Sequence, residues 1–312
     1  MLIARLEELH AALPGAQQRE DPDVVARLRA LGYVSGGAAR KTRYTDADDP
    51  KRLVALDRLL HEAIGLDEAG STEAAMARYR EILGTRPDMM SAARHLAFDH
   101  WKRGESAAAI AALESAIRAG AATPGAQVQL ATYLSDTGQI AKAVALLEPL
   151  TVGASADLDA INTLAIAYAR SGRAQDARTM FARGLAIDPG SVMIQENLGA
   201  LALEEHDLAG ARSAFERALA GNPSSSQAIA GLAMVLFRSG DVRGALEHWR
   251  RAVDADPANF DALYNLAVQS QKVLGDDAAR PMLERFVATA PHAQYGNDIA
   301  EIEAVLRRPR SK

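Results

Sequence analysis

Residues 158–191 read LDAINTLAIAYARSGRAQDARTMFARGLAIDPGS, and this stretch decides the fold of the chain. Its alanine at position 177 is one of seven alanines that recur every 34 residues. The seven are Ala75, Ala109, Ala143, Ala177, Ala211, Ala245 and Ala279. Composition bias does not place seven residues in one phase, so the chain is a repeat array. A period of 34 fits two helices and their turns, stacked so that each unit buries its apolar face on its neighbours.

Units that begin at residues 56, 90, 124, 158, 192, 226 and 260 align further columns of one residue type. Position 8 is alanine or glycine in every unit and position 20 is the alanine column, so two helices can approach closely there. Large residues fill position 24 in every unit and leucine fills position 7 in all but the first, which predicts the core. Glycine prevails at position 15 and proline at position 32, where we expect the first and second helices to end.

These columns resemble the tetratricopeptide repeat, over about residues 50–293. The fourth unit carries the family pattern at Ile161, Leu164, Ala165, Tyr168, Ala177, Phe181 and Pro189. The resemblance implies an all-α fold, a right-handed superhelix (α-solenoid) of about seven helix–turn–helix units. We expect these units within residues 46–293, after a helical leader and flexible linker at 1–45. A capping helix and a basic tail are expected at 294–312, with Ile299, Ile302, Val305 and Leu306 on one face.

The composition limits the classes of function. The formal net charge is -5 with a pI near 5.8, which argues against a nucleic-acid partner. No cysteine is present, which excludes disulfides, cysteine-ligated metals and cysteine nucleophiles. No apolar run approaches the ~18 residues of a membrane span, and the amphipathic MLIARLEELH differs from a signal peptide.

The leader carries a second resemblance. DPDVVARLRALGYVSGGAA, followed by DDPKRLVALDRLL, is similar to the region after the catalytic domain of bacterial sulfatase-like proteins of the alkaline-phosphatase superfamily. Some of those proteins carry tetratricopeptide repeats behind the enzyme, so the chain is expected to be such a repeat region or a stand-alone descendant. The cytoplasm is the default compartment, and the periplasm follows if the parent protein is exported.

No catalytic or cofactor site emerges from the sequence. The C/S-x-P-x-R motif that the sulfatase resemblance would require is missing, and no glycine-rich phosphate loop precedes a helix with the needed lysine. His61 and His95 share position 6, and with Asp57 and Asp99 nearby a weak metal site is conceivable. Exposed polar residues without supporting contacts are the stronger interpretation. We therefore predict a non-enzyme without metal or cofactor.

The remaining candidate is the concave groove, which the resemblance assigns to positions 2, 5, 6, 9, 12 and 13 of each first helix. Apolar and aromatic side chains there, beside amides and charges of alternating sign, suit an extended peptide or a partner helix. For the aromatic residues at position 12, packing against a neighbouring unit is an equal alternative. The predicted groove residues are Arg94, Phe98, Trp101, Asn162, Arg170, Asn197, Met234, Phe237, Arg238, Tyr264, Asn265 and Lys272.

The favoured hypothesis is thus a protein–protein interaction scaffold that binds a polypeptide in this groove. The alternative is a non-catalytic accessory region of a sulfatase-like hydrolase. A self-assembling scaffold, in which the groove or an end takes a second copy of the chain, stays open as a third option.

Overall fold

A computed structural model describes residues 50–153 and 157–307. Within these ranges the chain forms 15 α-helices, one short 3₁₀ helix and no strand, which confirms the all-α prediction. The leader at 1–45 and most of the basic tail lie outside the described residues. The helices are α1 (Pro50–Glu68), α2 (Thr72–Thr85), α3 (Met90–Lys102), α4 (Ser106–Arg118), α5 (Pro124–Asp136), α6 (Ile140–Leu147), α7 (Leu158–Arg170), α8 (Ala174–Ile187), α9 (Val192–Glu204), α10 (Leu208–Gly221), α11 (Ser226–Arg238), α12 (Val242–Ala255), α13 (Phe260–Leu274), α14 (Asp276–Thr289) and α15 (His292–Leu306).

The helices follow the 34-residue period. Odd-numbered helices from α1 to α13 are the first helices of the seven units, and even-numbered helices are the second. Each helix packs mainly against its neighbours in chain order, and the consecutive first helices α5, α7, α9 and α11 also contact one another. Contacts between neighbouring elements are the property that defines a solenoid.

The aligned columns form the core. All seven alanines at position 20 are completely buried, and the large residues at position 24 are at most 2% exposed. Position 7 is less uniform, because Glu62 is exposed and Leu198 and Leu232 are only partly buried. The ring of Phe215 packs closely against two glycines next to these leucines. A Cβ added at Gly199 would lie 2.6 Å from the ring, and one added at Gly231 would lie 2.3 Å from it.

The turn between the two helices of a unit needs a left-handed residue. The glycines at position 15 have positive φ angles, for example 76° at Gly104 and at Gly172. His206 holds the same position in the fifth unit with φ 62°, and it is the only non-glycine residue with positive φ in the described ranges. In the seventh unit the turn uses Gly275, with φ 89°, one residue later.

The last unit is followed by α15. Ile299 and Ile302 are each 2% exposed and pack in the same apolar cluster as Leu283 and Phe286, while Val305 and Leu306 are partly buried against it. This confirms the predicted capping helix. Within residues 50–153 and 157–307, the buried residues divide into four clusters along the array instead of one central core.

Candidate functional site

The predicted groove residues lie on first helices, in a surface that we call the first-helix face. It consists of positions 2, 5, 6, 9, 12 and 13 of α1, α3, α5, α7, α9, α11 and α13. The structure places its residues in three situations: polar side chains joined to the next unit, aromatic side chains packed on a neighbour, and a few exposed side chains. Their role in binding stays a prediction.

Several polar residues of this face join one unit to the next. Asn197 Nδ2 donates to Asn162 Oδ1 at 2.8 Å, between α9 and α7. Arg170 on α7 forms an ion pair with Asp136 on α5, and its Nη1 lies 3.4 Å from Ser135 Oγ. These side chains have a structural partner, so a ligand would have to compete with it.

The same pattern recurs elsewhere on the first-helix face. Arg94 Nε donates to Gln129 Oε1 at 2.9 Å, between α3 and α5. Arg238 donates to the backbone carbonyl of Leu203, again one unit earlier. Asn265 differs, because its Nδ2 donates to the Asp261 carbonyl of its own helix at 2.8 Å.

The aromatic residues at position 12 pack against neighbours. Trp101 stacks on Tyr133 of the next unit, with ring centroids 4.2 Å apart and planes within 5°. Phe237 lies 5.7 Å from the ring of the buried Trp249. Both are partly buried, and so are Met234 and Tyr264, whose ring lies 5.5 Å from that of Phe286. The ring contact of Trp101 crosses to the next unit, as the packing alternative expects, whereas those of Phe237 and Tyr264 lie within their own units.

Phe98 is the predicted groove residue that most exposes apolar surface. Its side chain at position 9 of α3 is 48% exposed. The ammonium of Lys102 lies 5.1 Å from the centroid of the ring. Lys272, at position 13 of α13, is also exposed. An exposed phenylalanine beside a flexible lysine is available to a ligand without disturbing the core.

A pocket of about 450 Å³ opens next to Phe98. Its walls come from α1, α3 and α5, one helix from each of the first three units. All of its lining residues occupy positions 2, 5, 6, 9 or 12, which are groove positions. They are Asp67, Ser91, Arg94, His95, Phe98 and Gln129.

A buried carboxylate lies beside this pocket, one helical turn after His95. Asp99 is 1% exposed, and neither of its oxygens accepts a hydrogen bond from the described residues. Its recorded ion pair is long, with Lys102 Nζ 3.9 Å from Oδ1. Burial raises the pKa of Asp99, and the nearby carboxylate of Asp67 raises it further.

Tyr79 lies in the same electrostatic environment as Asp99, because both side chains are affected by Asp67. Tyr79 is completely buried, its hydroxyl has no hydrogen-bond partner in the described residues, and His95 stacks on its ring at 5.4 Å. Burial, with additions from Asp67 and Asp99, raises the pKa of Tyr79 to about 12. Two buried polar groups in this corner of the array, the Asp99 carboxyl and the Tyr79 hydroxyl, thus lack a hydrogen-bond partner among the described residues.

Sequence reasoning missed the importance of Asp99, although a signal was present. Asp99 stands at position 10, where the fourth, fifth and sixth units carry the buried apolar residues Ala167, Leu201 and Val235. A buried aspartate at a position that three other units fill with buried apolar residues is a candidate for function.

The metal alternative gains no support from the contacts. The described residues hold no group of three or more histidine, aspartate or glutamate side chains that could ligate an ion. His61 Nδ1 is bonded to the Asp57 carbonyl at 2.8 Å on α1, and His95 is stacked on Tyr79. His61 and Asp57 thus contact each other within α1, while His95 packs on a buried ring.

Models of the tetratricopeptide repeat match residues 90–115, 128–192, 202–248 and 230–268. The chain is built from tetratricopeptide repeats. Repeats of this family are typically non-catalytic and bind protein partners. A search of curated proteins with this sequence found no match.

Solved structures support the fold of this tetratricopeptide repeat protein. A tetratricopeptide repeat protein from Parabacteroides merdae superposes with a TM-score of 0.65 at 12% identity, covering 82% of this chain and 100% of that one. Yeast Tom70 gives a TM-score of 0.64 at 13% identity over 93% of this chain and 75% of that one. A thermophilic repeat protein from Thermus thermophilus gives 0.52 at 18% identity, covering 57% and 96%. At these identities the likeness concerns the fold alone.

Among the described residues, no helix combines the length and apolar character that crossing a membrane requires.

Proposed function

We propose that this protein is a non-catalytic scaffold that binds a polypeptide segment on its first-helix face, with the pocket between α1, α3 and α5 as the main contact. The observation that carries the proposal is the exposed ring of Phe98 at the edge of that pocket. Aromatic side chains at the edge of a cleft are favoured anchors for peptide recognition.

The contacts elsewhere on the first-helix face make its other parts weaker candidates for the peptide-binding site. The polar residues around Asn162, Arg170 and Arg238 are joined to neighbouring units, and the aromatic residues at position 12 are packed. These regions offer a preformed surface with few free anchors. The first three units combine an exposed aromatic ring, a pocket and unsatisfied polar atoms, so the strongest contact is expected there.

The test compares Phe98→Ala with a matched control. Ile187→Ala also truncates an exposed apolar side chain, 55% exposed, but on the second helix α8. Each variant would be used for affinity purification from the native host, followed by mass spectrometry. We expect Phe98→Ala to lose specific partners that the parent protein and Ile187→Ala retain. Identical partner profiles for all three proteins would refute the proposal.

A second candidate function follows from the leader at residues 1–60, which resembles the post-catalytic junction of sulfatase-like proteins. Under this second hypothesis, the repeat array positions a substrate or an assembly for a sulfatase-like hydrolase. An in-frame upstream catalytic domain with a C/S-x-P-x-R motif would support it, and a gene without such a domain would count against it.

Self-association would use the same face or an end of the array. Light scattering across a range of protein concentrations tests it, because a scaffold that takes a second copy gains apparent mass as the concentration rises.

A further inference from the structure

The pocket between α1, α3 and α5 has an unusual charge arrangement. Asp67 forms part of its wall, and Thr72 Oγ1 donates to its Oδ1 at 3.1 Å. Asp99 lies buried on α3 with both oxygens lacking a hydrogen bond from the described residues. Two carboxylates near one pocket create a negative potential that a cation would relieve.

The positive side chains around the pocket do not cancel this potential equally. Arg94 is held by its bond to Gln129 Oε1 at 2.9 Å. Lys102 is different, because its side chain is 48% exposed and its ammonium lies 3.9 Å from Asp99 Oδ1, too far for a hydrogen bond. This flexible lysine is the one that a ligand could displace at little cost.

The position of Lys102 shows that a cation fits between the Asp99 carboxylate and the Phe98 ring. Its ammonium lies at the same time near the Asp99 carboxylate and 5.1 Å from the centroid of Phe98. A cation over an aromatic ring and beside a poorly hydrated carboxylate is stabilised by both groups. A second cation, brought by a ligand, would find the same two partners together with Asp67.

We infer that the pocket holds a lysine or arginine side chain of the bound polypeptide, which displaces Lys102 from Asp99 and lays its aliphatic stem against Phe98. The inference rests on the proposed function and adds the chemical class of the ligand, a basic peptide with an apolar residue beside the cation. The apolar neighbour is part of the ligand because Phe98 is 48% exposed and offers apolar surface to it.

The test uses two fluorescein-labelled peptides of one design. The first carries Lys-Leu pairs separated by small residues, and the second has Glu in place of every Lys. Binding to the full chain is measured by fluorescence anisotropy at pH 8 and low salt. We expect the lysine peptide to bind about 10-fold more tightly than the glutamate peptide, because the second peptide brings like charge to the pocket.

Four variants separate the inference from simple electrostatics. Asp99→Asn is expected to weaken the lysine peptide about 10-fold, and Lys102→Met to strengthen it about 3-fold by removing the competing cation. Lys142→Met is the matched control, since it removes an exposed lysine from the second helix α6, outside the first-helix face. We expect it to leave the affinity unchanged. Asp67→Asn is expected to weaken the same peptide.

The outcomes distinguish this inference from the proposed function. Equal affinity for both peptides, lost in Phe98→Ala, would leave the groove function standing and overturn the preference for a basic ligand. Tighter binding of the glutamate peptide, or equal gains for Lys102→Met and Lys142→Met, would also overturn it. No binding of either peptide would overturn it as well, while the partner purification described above would still decide the groove function. Circular dichroism checks the fold of Asp99→Asn, and Lys102→Met tests the inference at the protein surface if that variant unfolds.

Discussion

Asn197 donates its amide hydrogen to the Asn162 side chain across 2.8 Å, although the two residues are one repeat apart. Asn162 is 5% exposed, so its carbonyl oxygen has little access to water as a replacement partner. Hydrogen bonds of this kind join α9 to α7 and fix the spacing of two successive first helices. The first-helix face is thus a structural element as well as the surface on which we propose that a ligand binds.

The first prediction concerns this bond. Asn197→Ala should lower the free energy of unfolding by about 1–3 kcal/mol, because it leaves a buried amide oxygen without its donor. Asn265→Ala is the control, since Asn265 shares position 6 but donates to its own helix. We expect that change to cost less than about 0.5 kcal/mol. Guanidinium denaturation followed by circular dichroism measures both, and equal costs would contradict the prediction.

The second prediction concerns the left-handed turn at His206. Its φ of 62° is a conformation that side chains with a Cβ rarely adopt, whereas glycine fills the same position in five other units. His206→Gly should therefore stabilise the fifth unit by up to about 1 kcal/mol, the strain relief being partly offset by the flexibility of glycine in the unfolded chain. The converse change, Gly172→Ala, should destabilise. Melting temperatures that fall in His206→Gly would show that the histidine side chain makes a compensating contact.

The third prediction concerns the close packing around Phe215. A Cβ added at Gly231 would lie 2.3 Å from the Phe215 ring, so Gly231→Ala must move a buried aromatic side chain. We expect a loss of about 1–3 kcal/mol, as for other overpacked cores. Gly65→Ala is the control, because nothing lies within 4 Å of its added Cβ.

Replacing Phe215 tests whether its ring causes the loss of stability in Gly231→Ala. Phe215→Leu should restore part of the stability of Gly231→Ala, because the smaller side chain leaves room for the new methyl group. Additive losses in the double variant would mean that the ring is not what the methyl group meets.

The fourth prediction concerns the pH dependence of stability. Burial is the main cause that raises the pKa of Asp99, Asp67 adds to it, and Lys102, His95 and His100 oppose it. A carboxyl whose folded pKa exceeds the unfolded value of about 3.9 binds its proton more tightly in the native state. Its contribution to stability therefore falls as the pH rises from the unfolded pKa through the folded pKa.

Asp99→Ala removes this titration and replaces it with the residue that the fourth unit carries at the same position, Ala167. We expect the variant to be more stable than the parent protein near neutral pH, with an advantage that grows from about pH 4 upward. Melting temperatures between pH 3.5 and 8 measure the difference. A difference that stays constant across this range would show that the Asp99 carboxyl has an ordinary pKa.

The period of the sequence was sufficient to predict the helix pairs, the buried alanines and the left-handed glycines, because each depends on one residue type at one position. The contacts across units were harder to predict. Asn162 and Asn197 stand at adjacent positions of consecutive units, so their contact follows from the period once the helices are stacked. The stacking of Trp101 on Tyr133 depends on side-chain rotamers, which no column specifies.

The residues of the candidate site also divide into those that the sequence predicted and those that it did not. Phe98 and Arg94 were predicted from their positions, and both line the pocket. Asp67 was not among the predicted groove residues, and Asp99 was considered only as a neighbour of a weak metal site. Neither was predicted as part of a peptide site, because the groove positions were searched for apolar, aromatic and amide anchors. Asp99 is 1% exposed, and the carboxylate of Asp67 in the preceding unit helps to raise its pKa, a relationship that appears only in the assembled array.

The walls of the pocket belong to three successive units, which has a mechanical consequence. A solenoid bends by small rotations at every junction between units, so any stretching or coiling of the array changes the distance between α1 and α5. Tension applied to the ends of the array would then change the width of the pocket and its affinity for the proposed polypeptide ligand. A tightly bound ligand would in turn make that end of the array stiffer.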